Sequence, residues 1–119
     1  MTYHEKAQDI YNHLAQGKLL EAFDKYYGEN VVMVEADGRK REGKAANRAY
    51  EEQFLGMVQD WHGMGVDAVT ADEANKVTTV ESWMDVTFKD GNRQTLKQVA
   101  VQRWDGDFIV EERFFNGAA

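Results

Sequence analysis

The sequence contains no cysteine and no proline, and its only serine is Ser82. The missing cysteine excludes disulfides, thiolate metal sites and cysteine nucleophiles, and it suits a reducing compartment, so a cytoplasmic location is the expectation. Without proline the usual loop punctuation is absent. Ser82 has no nucleophile-elbow glycines around it, which leaves serine catalysis unsupported. Of the three histidines, His4 and His13 are nine residues apart with no carboxylate pattern of ligand spacing around them, so no metal is expected. No apolar run exceeds four residues (Val31–Val34 is one), too few to span a bilayer. The start, Met1-Thr-Tyr-His-Glu-Lys, has no basic segment followed by an apolar one, and no secretion signal is expected. Lysine and arginine number 14 against 21 acidic residues, a net charge of −7. That balance argues against nucleic acid, which needs cations to displace counterions. The one basic cluster, Arg39, Lys40, Arg41, Lys44 and Arg48, reads as a solvated strand edge or as an anion site near a helix start.

What is present is material for one domain over residues 1–119: 43% hydrophobic and 12% aromatic residues within a charged surface. Tyr3, Ala7, Ile10, Tyr11 and Leu14 recur at helical spacing, and Gly17 is placed to end that helix. A second helix follows with Leu19, Leu20, Phe23, Tyr26 and Tyr27 inward and Gly28 at its exit. Val31–Ala36 reads as a strand, and Asp37-Gly38 turns it into a short charged strand, Arg39–Glu42. The spacing of Ala46, Tyr50, Phe54, Met57, Val58 and Trp61 predicts a long helix from Lys44 to Trp61. Four strands complete the chain, Met64–Glu73, Val77–Lys89, Arg93–Asp105 and Phe108–Phe115, with hairpin signals at Asp90-Gly91 and Asp105-Gly106. This order is α+β. The long sheet must twist around the three N-terminal helices, leaving a cone whose mouth is a natural ligand pocket. The Gly-x-Gly at Gly63–Gly65 lacks the strand-then-helix context of a phosphate loop.

Several stretches carry a resemblance. KLLEAFDKYYGENVVMVEADGRKREGKAANRAYEEQF resembles the helix–strand–helix core of the SnoaL-like group in the nuclear-transport-factor-2-like superfamily, and VESWMDVTFKDG and QVAVQRWDGDFIVEERFF resemble its terminal meander. The likeness runs from about Glu5 to Asn116. It implies a cone-shaped, curved antiparallel sheet, the cystatin-like roll, and a cofactor-free pocket for a small apolar molecule. It also implies a homodimer through the sheet face. Relatives include ketosteroid isomerases, polyketide cyclases, epoxide hydrolases and dehydratases, and a shared fold does not choose among them.

The resemblance places the isomerases' catalytic base at Glu35, eight residues after Tyr27, and their oxyanion-hole tyrosine near Tyr11. Against these stand structural readings: an arginine partner for Glu35 and a core position for Tyr11. An elevated Glu35 pKa beside a cavity would favour chemistry, and a salt-bridged Glu35 in a closed core would oppose it. The isomerases' second oxyanion donor is replaced by Ala100. The cyclases' aspartate position falls on Phe114, and the epoxide hydrolases' Asp–Arg–Asp set is not recognisable. By strand parity Glu112 shares a face with Phe108, Val110 and Phe114 and looks into the cone. Gln98 and Gln102 share a face with Leu96, Ala100 and Trp104, where they either orient a ligand or are solvated. Tyr27, Tyr50, Phe54, Trp61 and Trp83 are candidate pocket walls or plain core. His62 is either a base or a cap at the end of the long helix. Val80, Met84, Val86 and Phe88 are candidates for an apolar outer face in a dimer. The functions left open are an acid–base isomerase, cyclase or dehydratase and a non-catalytic binding or dimerisation module.

Overall fold

A capping box starts the chain's first element. The Thr2 side chain accepts from the Glu5 backbone N–H, and the Glu5 carboxylate accepts from that of Thr2. A computed structural model describes residues 1–116. Helix α1 (Tyr3–Ala15) buries Ala7, Ile10 and Tyr11, and α2 (Leu19–Tyr26) buries Ala22, Phe23 and Tyr26. Strand β1 (Tyr27–Val34) follows α2 without a loop, then β2 (Lys40–Glu42) and α3 (Lys44–Met57). The remainder is β3 (Val58–Asp72), β4 (Val77–Phe88), β5 (Arg93–Asp105) and β6 (Phe108–Phe115). Among the described residues no helix is long and apolar enough to cross a membrane.

The six strands form one sheet in the order β2-β1-β6-β5-β4-β3. All neighbours are antiparallel except β1 and β6, which run parallel. The curved α+β architecture is the expected one, with this parallel pair as its exception. The helices cover one face, where Trp104 lies under α1 and α2. Its ring centroid is 5.4 Å from that of Tyr3 and 6.1 Å from that of Tyr26.

Three boundaries differ from expectation for local reasons. Tyr27 opens β1 instead of closing α2. Gly28 is not a helix stop; a Cβ there would lie 3.3 Å from the Ile109 carbonyl oxygen, so the glycine permits the close approach of β6. Helix α3 ends at Met57, four residues early, giving about 21 Å of helix. Gly56 weakens its last turn, and the next residues pair instead with β4, Val58 opposite Phe88 and Trp61 opposite Val86. On β6, Arg103 pairs with Glu111 while Trp104 pairs with Ile109, so Val110 is an extra residue in a bulge. Phe108 and Val110 are therefore exposed, and Glu112 shares its inward face with Ile109 and Phe114.

The faces of β4 are also reversed relative to expectation. Val80 and Val86 are fully buried and Met84 lines the interior, so these residues do not form an outer face. Trp83 lies on the opposite side, over Gly63 and Gly65. A Cβ on Gly65 would fall 2.4 Å from the Trp83 indole nitrogen, which explains the Gly-x-Gly as a seat for an indole.

Candidate functional site

Where the sheet curls away from α1, α2 and α3, it leaves a cavity of about 190 Å3. Tyr11 reaches it from α1, Phe23 from α2, and Tyr27 from the start of β1. Helix α3 contributes Tyr50, Glu51 and Phe54, while β5 and β6 contribute Gln98, Glu112 and Phe114. Glu35, just past β1, also borders it. His62 is not at a helix end. It sits on β3 beside a second cavity, its Nε2 2.7 Å from the Thr87 hydroxyl. Trp83, on the far side of the sheet, lines neither cavity.

Glu112 is the most enclosed carboxylate, 2% exposed. The Tyr27 hydroxyl donates to its Oε1 at 2.7 Å, and Gln102 Nε2 donates to its Oε2 at 2.7 Å. The orientation of that amide is fixed from behind. The Trp104 indole N–H can only donate and does so to Thr78 Oγ1 at 2.9 Å; Thr78 in turn donates to Gln102 Oε1 at 2.7 Å. Gln102 must then present its NH2 to Glu112. Burial raises the Glu112 pKa to about 7, with the Glu35 charge adding to the rise and the two hydrogen bonds opposing it. Gln102 is thus an interior relay residue, neither solvated nor at the cavity wall, whereas Gln98 lines the cavity.

Glu51 is a second raised carboxylate. Burial brings its pKa to about 7, helped by the charges of Glu112 and Glu35 and opposed by Arg41, with no hydrogen bond to hold the ionised form. Tyr11 is 7% exposed, and burial together with the Glu112 charge pushes its phenol well above the ordinary range, the Ser82 hydroxyl opposing. Tyr27 is raised for the same first two reasons. Both phenols therefore stay protonated at neutral pH, and that of Tyr27 donates to Glu112.

Glu35 is ion-paired to Arg41. The Arg41 guanidinium lies 3.5 Å from the centroid of the Tyr50 ring, and its Nε donates to Asn47 Oδ1 at 3.3 Å. Asn47, fully buried, holds the start of α3 to the hairpin by donating to the carbonyls of Gly43 at 2.8 Å and Arg41 at 3.0 Å. The rest of the basic cluster is largely paired as well, with Arg48 on Asp24 and Glu52 and Arg39 on Asp37. Glu35 thus meets one half of the condition that opposes a role as base, the ion pair, and not the other, since it borders a cavity and not a closed core.

Sequence reasoning did not find Glu51, and it named Arg41 only within the basic cluster; the arginine partner it allowed for Glu35 is this residue. The signal available was the Asn47/Glu51 spacing of four, one helical face, which the aromatic stripe through Tyr50 and Phe54 obscured. Tyr50 is in fact exposed, and the polar pair turns inward.

A family model for the SnoaL-like domain matches residues 1–116. A solved candidate SnoaL-like polyketide cyclase from Mesorhizobium loti is 28% identical; the alignment covers 98% of this chain and 100% of that one, with a TM-score of 0.84. A candidate polyketide cyclase from Pseudomonas putida is 16% identical over 98% of this chain and 92% of its own, with a TM-score of 0.79. A protein of ketosteroid isomerase-like fold from Catenulispora acidiphila, solved with trimethylamine, is 10% identical over 95% and 85%, with a TM-score of 0.76. The last two speak for the fold alone. Among curated proteins the sequence has no significant match.

Proposed function

The chain belongs to the SnoaL-like domain family, and from that premise we propose that its cavity binds a small, apolar, oxygen-bearing molecule and moves protons on it without a cofactor. One observation carries this reading: Glu51 and Glu112, both raised to about 7, face one largely aromatic and aliphatic cavity. A carboxyl group poised near neutral pH accepts a proton from carbon and returns it with little mismatch. Glu51 is the proton acceptor, since no hydrogen bond holds its ionised form. Tyr11 donates to the ligand oxygen as negative charge develops there. Glu112 is anchored by Tyr27 and Gln102 and supports both phenols in their protonated state. Glu35, neutralised by Arg41, shapes the mouth. Isomerisation, aldol-type cyclisation and dehydration all share this proton-transfer step.

The test needs no knowledge of the natural substrate. Exchange of α-protons for deuterium in simple cyclic ketones, followed by proton NMR, reports a positioned base directly. Wild type should accelerate exchange over buffer, and Glu51→Gln should lower the rate by about 10²-fold or more. Glu35→Gln should leave most of it. Equal exchange in wild type and Glu51→Gln would overturn the assignment of the base, and the absence of any ketone binding would overturn the function.

A further inference from the structure

The second cavity, of about 450 Å3, plays no part in that chemistry. Leu14 and Leu19, at the facing ends of α1 and α2, and Met84 on β4 line both cavities. All three carboxylates belong to the first. The second is closed mainly by Leu55, Trp61 and Met64, and its one ionisable side chain, His62, is engaged with Thr87. At its rim Trp61 is 46% exposed, with the Phe54 ring edge-on 6.2 Å away. A polar group placed among these walls would find few partners, whereas an apolar one is favoured. The shared Met84 is unbranched and adaptable, suited to a passage between two compartments.

We propose that the two cavities hold one amphipathic ligand, an oxygenated head beside Tyr11 and Glu51 and a hydrocarbon tail that passes Met84 and lies against Leu55 and Trp61. The placing of the head rests on the proposed function; the tail rests on the second cavity alone.

A series of 2-alkanones from butanone to undecanone, titrated by calorimetry, tests it. Kd should fall about fourfold for each added methylene over several carbons and then level off. Leu55→Trp should flatten the series and leave butanone binding unchanged. A second readout, independent of how that variant packs, uses wild type: nuclear Overhauser contacts from the terminal methyl of 2-nonanone to the Trp61 ring. A wild-type series that binds butanone but shows no dependence on chain length would overturn the tail and leave the head site standing. So would a terminal methyl that contacts no Trp61 proton. Failure of every ketone to bind would overturn both.

Discussion

Glu112 sits at the end of a hydrogen-bond chain whose direction is set by a side chain that can only donate. Trp104 gives its proton to Thr78, Thr78 to Gln102, and Gln102 to Glu112. Even with these donors, burial wins and the carboxyl is raised from 4.5 to about 7. The sign of the consequence follows from proton counts. Below about pH 4.5 the group is protonated in both folded and unfolded chains and is neutral in its effect. Between 4.5 and 7 the unfolded chain releases the proton first, so stability falls, and above about pH 7 the full penalty of about 3 kcal/mol is present. Glu112→Gln should therefore unfold at a higher temperature than wild type at pH 8.5, with the gap closing toward pH 5 in paired melting curves. A gap that does not change with pH would mean that Glu112 titrates normally. The inward aim of Glu112 was legible from strand parity, and Phe114 does share its face, but Phe108 and Val110 do not, because a one-residue bulge at Val110 reverses the faces before it. Glu51 was illegible for a different reason. A polar residue on a helix reads as solvent-facing unless a cavity waits on the other side.

At the scale of elements, the sequence pattern located every helix and strand and misplaced the points where one passes directly into the next. Helix α2 runs into β1, and α3 into β3, with no loop residue to mark the change. Local periodicity carries past such a junction because aromatic residues such as Tyr27 and Trp61 suit either element. The long β3 shows what tertiary pairing adds. It coils past β4 through three register shifts, and Gly63 and Gly65 let the Trp83 indole lie flat on the strand. Gly65→Ala would drive a methyl into the ring, with a cost of about 1–3 kcal/mol. Trp83→Leu removes the obstructing ring, so the double variant should lose less stability than the sum of the two single changes in urea unfolding. Strict additivity would show that the glycine serves backbone conformation and not the indole.

The whole molecule explains why the site could not be read as a motif. Strand β6 returns to lie beside β1, so Tyr27 meets Glu112 across 85 residues of sequence, while Glu51 arrives on a helix from the middle of the chain. The fold itself was legible because its signals are local: helical stripes, turn dipeptides, and alternating strands. The charge balance of the cavity was not, because it depends on which acids the curved sheet and the helices bring together. Three carboxylates face this space, and Arg41, bound to Glu35 and stacked on Tyr50, is the cation that tempers them. Its charge holds the Glu51 pKa down against burial and the two neighbouring acids. Arg41→Gln should therefore raise the Glu51 pKa further, by about 1 unit for a lost neighbouring cation. A base that must be ionised to act then needs a higher pH, so the acidic limb of the ketone-exchange profile should move upward by the same amount. The matching measurement is a carbon-13 NMR titration of the Glu51 carboxyl in wild type and variant. Parallel shifts in both would tie proton transfer to Glu51 under the control of Arg41. A moved carboxyl titration with an unmoved rate profile would place the base elsewhere in the cavity.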